Sequence, residues 1–317
     1  MMDKLWLVVP CYNEEAVLPE TSKRLYKIMA DLIINKKIAP ESKIAFVNDG
    51  SKDNTWKMIE KYHSNIDMFV GINLSRNKGH QNALLAGLTV AKDYADMVIT
   101  LDADLQDDIN VIPEFIDKYY EGNDIVYGVR NNRDTDTGFK RNTAQGFYKF
   151  MRMLGVDIVD NHADYRLMSK RAIEGLLEYK EVNVFLRGIV PQIGYPSAIV
   201  EYKRNERLAG ESKYPLKKMI SFAFDGITSF SVKPLRISLV MGLIAFLVAI
   251  VIFVYSIIQL ILGNTVSGWT SITISVWALG GMQLLMLGIV GEYIGKIYLE
   301  SKHRPKFIIQ DVLYKEF

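Results

Sequence analysis

The chain has 317 residues, and its 38 Lys and Arg residues nearly balance 36 Asp and Glu residues, for a formal net charge of +2. That balance provides no strongly basic surface, so we expect no nucleic-acid partner. The single cysteine, Cys11, excludes an intrachain disulfide and argues against a cysteine metal site. The length predicts about two structural units.

The first two hundred residues alternate short apolar runs with amphipathic stretches. This alternation predicts an α/β fold with a mostly parallel sheet. The predicted strands are 5–10, 43–48, 68–75, a run beginning at Met97, 124–129, 165–168 and 198–203. Helices are predicted at 14–35, 79–94, 112–120, 139–154 and 169–179, with one more that Ser51 or Asp53 would cap. Glu14 and Glu15 are predicted to lie in the first turn of the first helix. Residues 204–214 are predicted to be a loop.

Polar residues follow three of the predicted strands. They are Tyr12-Asn13-Glu14, Asn48-Asp49-Gly50-Ser51 and the Asp102-Ala103-Asp104-Leu105-Gln106 stretch. The carboxyl ends of parallel strands meet at one edge of the sheet, where open α/β sheets bind ligands. We therefore expect Asp104 and Gln106 to hold a divalent metal and Asp102 to contact a nucleotide sugar. The alternative for this stretch is a solvated acidic turn.

The sequence contains neither of the common glycine-rich phosphate loops. No G-x-G-x-x-G follows the first strand, and no G-x-x-x-x-G-K-[ST] occurs, which argues against Rossmann and P-loop sites. A bound diphosphate would then need another source of positive charge. A divalent cation held by one or two carboxylates and by the diphosphate oxygens provides it.

Two long apolar segments, 237–262 and 271–294, follow the charged part of the chain. Each exceeds the length of about 20 apolar residues that a membrane span needs. Lysines and arginines flank the pair on both sides, and the link 263–270 is uncharged, so the positive-inside rule predicts a hairpin with both ends in the cytoplasm. Two buried core helices are the alternative. Segment 217–231 is predicted to lie in the membrane interface, with a packed amphipathic helix as its alternative.

These features divide the chain into four predicted regions. Residues 1–215 form a cytoplasmic catalytic domain, 216–232 an interfacial helix, 233–300 the two transmembrane helices and 301–317 a cytoplasmic tail. The N-terminus enters a strand directly and has no secretory signal, which agrees with a globular part that stays in the cytoplasm.

Five motifs occur in order before the apolar hairpin: V-V-P-C-Y-N-E-E, F-V-N-D-G-S-K-D-N-T, L-S-R-N-K-G-H-Q-N-A-L-L-A-G-L, L-D-A-D-L-Q-D and R-L-A-G-E-S-K-Y. With the hairpin, they resemble family 2 glycosyltransferases of the GT-A fold. More narrowly, the chain resembles bactoprenol glucosyltransferases and dolichol-phosphate mannose synthases. Two departures from the family pattern are Asn48, where many relatives have aspartate, and Lys78-Gly79-His80-Gln81, which replaces a commoner F-G-K-E.

The resemblance implies roles for individual residues. The nucleotide pocket would be lined by Pro10, Tyr12, Glu14, Val47 and Asp49, with Asp49 accepting a hydrogen bond from the base. Asp102 and Ala103 would contact the ribose or sugar, and Asp104 and Gln106 would ligate Mg²⁺ or Mn²⁺, which makes Asp104 a catalytic residue. The phosphate-binding residues would be Arg130, Lys140, Arg207 and Lys213. Arg133 and Arg141 could hold the acceptor phosphate together with Arg130 and Lys140, and the alternative for all four is a solvated basic rim near anionic lipid.

Asp164 matches the position that the family offers as a base. It would act as a base or as a positioning carboxylate, and the alternative is a structural salt bridge to Arg166. His80 and His162 are expected to be structural.

The resemblance implies inverting transfer of a sugar from a nucleoside diphosphate sugar to undecaprenyl phosphate at the cytoplasmic face of the cell membrane. The product would be a lipid-linked sugar for cell-envelope glycosylation. UDP-glucose is the favoured donor, and UDP-N-acetylglucosamine, UDP-galactose and GDP-mannose remain open.

Relatives also imply a homo-oligomer, a tetramer among the options. The rival hypotheses are a processive polysaccharide synthase, for which no Q-x-x-R-W-like segment is found, and a non-catalytic membrane-anchored sugar-nucleotide-binding protein.

Overall fold

The computed structural model describes residues 2–130, 162–182, 184–203, 233–262 and 268–315. These residues form two compact units. The first contains the described residues up to 203 together with those from Arg304 onward, and the second contains the described part of Lys217–His303. The predicted helices 139–154 and 217–231 and the predicted loop 204–214 lie outside the described residues.

The first unit is built on one mixed sheet. Its strands are β1 Leu5–Cys11, β2 Lys43–Asn48, β3 Phe69–Leu74, β4 Met97–Thr100, β5 Ile125–Arg130, β6 His162–Ser169, β7 Ser197–Tyr202 and β8 Ile309–Leu313. Within the described residues their order is β7-β5-β6-β4-β1-β2-β3-β8. The first four strands are mutually parallel, β5 is parallel to β7, and β6 and β8 run antiparallel to their neighbours. The predicted mostly parallel α/β sheet is therefore confirmed.

Helices lie against this sheet and follow its strands. They are α1 Leu18–Ile34, α2 Thr55–Asn65, α3 His80–Ala91, α4 Ile112–Tyr120, α5 Lys170–Leu177 and α6 Leu186–Gln192. The prediction that Glu14 and Glu15 lie in the first turn of α1 is wrong. The helix begins at Leu18 with Pro19 in its first turn, a position that suits proline because the N–H groups there have no helical partner.

The centre of the sheet is buried on both faces. Every residue of β1 is buried, as expected for a central parallel strand covered by helices. On one face α3 packs closely, because a Cβ added to Gly87 would lie 2.3 Å from Val8 Cγ1 and 2.9 Å from Val47 Cγ2. This contact fixes α3, and with it the loop at its N-terminus, against the two central strands.

The C-terminal residues join the same sheet. The sequence assigned no structure to 301–317, yet β8 pairs antiparallel with β3. Just after it, the Tyr314 ring lies 4.3 Å from that of Tyr94 and 5.9 Å from that of Trp6, measured between centroids. The chain therefore returns to the first unit after the second unit has ended.

The second unit contains two long helices, α7 Lys233–Ile261 and α8 Trp269–Ser301. Lys233–Ile252 has a mean hydropathy of 2.7 and is 6% buried, and Ala278–Ser301 has a mean hydropathy of 1.3 and is 0% buried. A helix of 29 residues is about 44 Å long, which exceeds the hydrocarbon thickness of a bilayer. By length and composition both helices suit a membrane. They contain most of the predicted spans 237–262 and 271–294.

Candidate active site

The polar ends of β1 and β2 lie together, as predicted. The backbone N–H of Asp49 donates to the carbonyl of Cys11 over 2.9 Å. The side-chain oxygen of Asn13 accepts from the backbone N–H of Lys52 over 2.8 Å, and the backbone N–H of Asn13 donates to the Ser51 hydroxyl over 3.0 Å. Asn13 has a φ of 54°, a conformation that asparagine tolerates better than most residues. These bonds join the two strand ends into one rigid surface.

Asp49 anchors the loop between β3 and α3. Its carboxylate is 2% exposed and accepts the backbone N–H of Lys78 over 2.6 Å and that of Gly79 over 2.9 Å. Burial raises the pKa of this carboxyl, and the two N–H groups partly offset the effect. The next residue, Gly50, has a φ of +64°, and a Cβ there would lie 2.4 Å from the nitrogen of Asn77. Only glycine allows this approach. The proposed contact of Asp49 with a nucleotide base remains a prediction.

The remaining residues predicted to line the nucleotide pocket differ in exposure. Tyr12 is 36% exposed, Pro10 is buried and Glu14 is half-buried. The Val47 side chain is fully buried against Gly87 of α3, so only its backbone is available to line a pocket.

The stretch after β4 has a fixed conformation. The Thr21 hydroxyl donates to the carbonyl of Ala103 over 2.7 Å, and the backbone N–H of Gln106 donates to Asp104 Oδ1 over 3.1 Å. Between them Leu105 has a φ of 52°, a region that costs a leucine backbone energy and that commonly marks functional sites. The stretch is thus a structured loop, not a freely solvated turn.

The residue types here fit a metal that is shared with a substrate. Among the described residues, no group of three or more His, Cys, Asp and Glu could hold a metal ion. Mg²⁺, however, is commonly bound by one or two carboxylates while substrate phosphates and water complete its shell. Asp104, with the amide oxygen of Gln106, offers ligands of this kind.

A cluster of acidic and basic side chains lies beside this loop. His80 Nε2 lies 3.4 Å from Asp102 Oδ1 and 3.7 Å from Asp164 Oδ2. Asp164 also pairs with Arg166, at 2.8 Å from Nη2, and with Arg187, at 3.2 Å from Nη2. The ion pair with Arg166 that the sequence left open is therefore present. One histidine contacts both carboxylates.

The two carboxyls of the cluster have opposite pKa shifts. Burial alone would raise the pKa of Asp164, but Arg187 and Arg166 outweigh it and hold this pKa well below its usual range. Partial burial raises the pKa of Asp102; His80 opposes this rise, and neighbouring aspartates add to it. A carboxylate with a lowered pKa is a weak base, so the environment of Asp164 favours a positioning role over proton abstraction.

Arg130 is already paired within the protein. Its Nη2 lies 3.0 Å from Asp107 Oδ1, and its Nε donates to the Tyr202 hydroxyl over 3.1 Å. The Tyr202 hydroxyl in turn donates to Asp107, whose side chain is 4% exposed. A phosphate contact of Arg130 would have to use its other N–H groups. The other predicted phosphate-binding residues, Lys140, Arg207 and Lys213, lie outside the described part of the chain.

Sequence reasoning missed two residues of this site. Arg187 lies on α6, a helix that was not predicted because Gly188 and Pro191 lower helix propensity. Gln81 uses its side-chain oxygen to accept the backbone N–H of Leu186 over 3.1 Å, at the start of that helix. An available signal was the single arginine within the apolar run V-F-L-R-G-I-V, since a charge among apolar residues needs a partner.

Comparison with known proteins identifies the family. Residues 6–177 match glycosyl transferase family 2, and residues 233–297 match the GtrB C-terminal hairpin. The chain is 55% identical over 312 residues to the uncharacterized glycosyltransferase YkoT of Bacillus subtilis (strain 168), covering 98% of this chain and 93% of that protein. It is 42% identical over 311 residues to the bactoprenol glucosyl transferase of Shigella phage SfV, covering 97% of this chain and 98% of that protein.

A third relative is the prophage bactoprenol glucosyl transferase homolog of Escherichia coli (strain K12), which is 41% identical over 311 residues and covers 98% of this chain and 99% of that protein. The matches to the two family models, the named relatives and the mixed sheet all lead to the same assignment. The chain belongs to glycosyl transferase family 2, with a GT-A-like catalytic fold and a GtrB-type C-terminal hairpin.

Proposed function

We propose that this glycosyltransferase moves a sugar from a nucleoside diphosphate sugar, UDP-glucose first among the candidates, to undecaprenyl phosphate, with inversion at the anomeric carbon. The product is a lipid-linked sugar for cell-envelope glycosylation. The supporting observation is the meeting of the loop held by Asp49, the Asp102–Gln106 loop and the Asp164 cluster at one edge of the sheet. Relatives named bactoprenol glucosyl transferases, 41–42% identical over nearly the whole chain, support the lipid acceptor.

The donor occupies the first part of this edge. Asp49 and Tyr12 lie beside the nucleotide, and Asp102 with Ala103 faces the sugar. Asp104 and Gln106 would hold Mg²⁺ or Mn²⁺. When bound, the cation neutralises charge that develops on the departing nucleoside diphosphate.

The acceptor needs orientation more than it needs a base. A phosphate monoester has a second pKa of about 6, so lipid phosphate is largely ionised at neutral pH and is already a nucleophile. Asp164, which two arginines keep ionised, serves to hold the geometry of the acceptor side. Attack from the face opposite the leaving diphosphate inverts the anomeric configuration. The proposed phosphate contacts are Arg130, Lys140, Arg207 and Lys213.

The hairpin brings the enzyme to its lipid acceptor. The chain leaves the first unit before Lys233 and returns to the same sheet with β8. Both ends of the helix pair are therefore tied to one folded unit, which supports a hairpin whose two ends lie on the same, cytoplasmic, side of the cell membrane. Assembly into a homo-oligomer is part of this proposal.

The experiment is an assay of nucleoside diphosphate release by the purified full-length protein. Undecaprenyl phosphate is present or absent, Mg²⁺ or Mn²⁺ is present or replaced by EDTA, and the donors are UDP-glucose, UDP-N-acetylglucosamine, UDP-galactose and GDP-mannose. We expect release that requires the lipid, the metal and one preferred donor. Asp104→Ala should abolish it without unfolding the protein, whereas Asp117→Asn, at an exposed ion pair with Lys37, should retain it.

Donor binding with no release would instead support a non-catalytic sugar-nucleotide-binding protein. Release independent of lipid would indicate a hydrolase or another acceptor. Full activity of Asp104→Ala would overturn the metal assignment.

A further inference from the structure

We infer that His80 is a positioning residue that forms a cationic bridge between Asp102 on the donor side and Asp164 on the acceptor side. The loop Lys78–Gln81, called here the bridge loop, holds this histidine in place. The donor and acceptor sides are those of the proposed function, on which this inference rests.

The inference starts from the position of the imidazole. A single ring nitrogen, Nε2, lies 3.4 Å from one carboxylate and 3.7 Å from the other. Two carboxylates that face each other repel, and a positive charge placed between them removes that repulsion. His80 is 36% exposed and Asp102 is 39% exposed, so this pair borders solvent, whereas Asp164 is 13% exposed. The histidine therefore connects a buried carboxylate to one that a substrate can reach.

The backbone before His80 is fixed from the nucleotide side. Both carboxylate oxygens of Asp49 accept N–H groups of the bridge loop, from Lys78 and from Gly79. Gly79 has a φ of +88°, which favours glycine, and α3 begins at the next residue. The packing of α3 on the central strands then leaves the His80 backbone little freedom.

The same loop also organises a second cation. The Gln81 side chain accepts the N–H of Leu186, the first residue of α6, and Arg187 follows it with two bonds to Asp164. The bridge loop thus supplies Asp164 with an imidazole directly and supports a guanidinium through α6. The third basic residue that contacts Asp164 is Arg166, whose side chain is 2% exposed.

The consequence is a separation of binding from turnover. Without a cation at residue 80, Asp102 and Asp164 repel and Asp102 leaves its position beside the sugar. Asp49 and the residues that would hold the metal, Asp104 and Gln106, take no part in the two imidazole contacts that this change would remove. Loss of the bridge should therefore lower kcat while nucleotide affinity changes little.

The experiment compares His80→Gln with His80→Lys in the full-length protein, using the assay of lipid-dependent nucleoside diphosphate release and the dissociation constant of UDP. Glutamine keeps a hydrogen-bond donor without charge, and lysine restores the charge. We expect kcat of His80→Gln to fall by about 10- to 100-fold, as small displacements in active sites do, and His80→Lys to recover most of it. UDP affinity should change by less than about 3-fold, which corresponds to less than 1 kcal/mol, because the bridge is not expected to contribute to nucleotide binding.

His63→Gln is the matched control. It makes the same substitution on α2, where the ring contacts the carbonyl of Phe69 at the opposite edge of the sheet, and it should leave kcat unchanged. Wild-type kcat in His80→Gln, or equal losses in the glutamine and lysine variants, would overturn the bridge.

A second measurement does not depend on transfer. The thermal unfolding of His80→Gln, Asp102→Asn and the double variant forms a cycle, and a bridge predicts non-additive shifts in Tm. Additive shifts would overturn the contact. If the wild-type protein transfers no sugar to lipid phosphate, the proposed function fails, while this cycle still decides whether His80 pairs with Asp102.

Discussion

Asp164 shows how strongly the role of a residue depends on its partners. Its carboxylate contacts two guanidinium groups and an imidazole on three elements: Arg166 on β6, Arg187 on α6 and His80 at the start of α3. A general base should be able to take up a proton near neutral pH, and a carboxylate beside two guanidinium groups resists protonation. A fixed negative charge of this kind fits the proposed positioning role of Asp164 better than the role of a base.

We predict that Asp164→Asn lowers the free energy of unfolding by about 3 kcal/mol or more, since it leaves the buried guanidinium of Arg166 without a counter-charge. The measurement is thermal or denaturant unfolding of the purified protein. The control Asp117→Asn removes an exposed ion pair and should cost at most about 1 kcal/mol. Equal costs for the two variants would contradict the assignment of Asp164 as a buried charge centre.

The contribution of Asp164 to the free energy of unfolding also depends on pH. The pKa of Asp164 in the folded protein lies below the reference value of 3.8, so its stabilising contribution is fully present above that value and is lost only as the pH falls through the lowered pKa. The contribution of Asp164 itself should therefore persist from pH 7 to about 5, on top of any change from its neighbour Asp102, whose pKa is raised. A difference in stability between wild type and Asp164→Asn that disappears within this range would show that the pKa is not lowered.

Which residues gather at the site was partly predictable. Asp49, Asp102 and Asp104 follow apolar strands, and the parallel topology alone places them at one edge. The contacts between distant segments were not predictable: Gln81 and Leu186 are 105 residues apart, and the arginine of α6, although its apolar surroundings mark it, has no motif that names its partner. Such pairs depend on tertiary packing, which local patterns do not encode.

At the scale of elements, the predicted strands and helices of the first unit match where periodicity is strong. Helix α4 has its predicted bounds, and β2 likewise. Strand β8 was missed because it lies at the sheet edge with mostly exposed side chains, so its apolar alternation is weak. Helix α6 was missed because it is short and contains Pro191.

The C-terminal segment stabilises the sheet through one aromatic cluster. Tyr314 packs on Tyr94 and Trp6, and Trp6 itself is 1% exposed. We predict that Tyr314→Ala lowers the free energy of unfolding by about 2–4 kcal/mol, since it removes a packed aromatic ring. Unfolding monitored by circular dichroism in detergent tests this.

Its neighbour provides a matched control for the Tyr314 variant. Lys315→Ala removes an exposed ion pair with Asp67 and should cost at most about 1 kcal/mol. A Tyr314→Ala variant as stable as Lys315→Ala would show that the C-terminal segment adds nothing to the stability of the sheet.

At the scale of the whole molecule, the chain encloses its apolar helices between two parts of one folded unit. Residues up to 203 and residues from Arg304 onward belong to the same unit, and Lys306 donates to the carbonyl of Tyr179 across it over 2.8 Å. A single span would separate these parts across a membrane and prevent β8 from pairing. An even number of spans is therefore required if the helices cross the bilayer.

This requirement gives a direct topology prediction. Cysteine introduced at Gly268, in the link between the two helices, should react with a membrane-impermeant maleimide in intact spheroplasts, whereas cysteine at Lys315 should react only after lysis. The native Cys11 is 1% exposed, so the unsubstituted protein gives a low background. Labelling of the Lys315 position from outside would place the catalytic unit on the external face and remove the nucleotide sugar supply that the proposed function needs. Protection of both positions in intact spheroplasts would contradict a spanning hairpin, because the link would then not reach the outer surface.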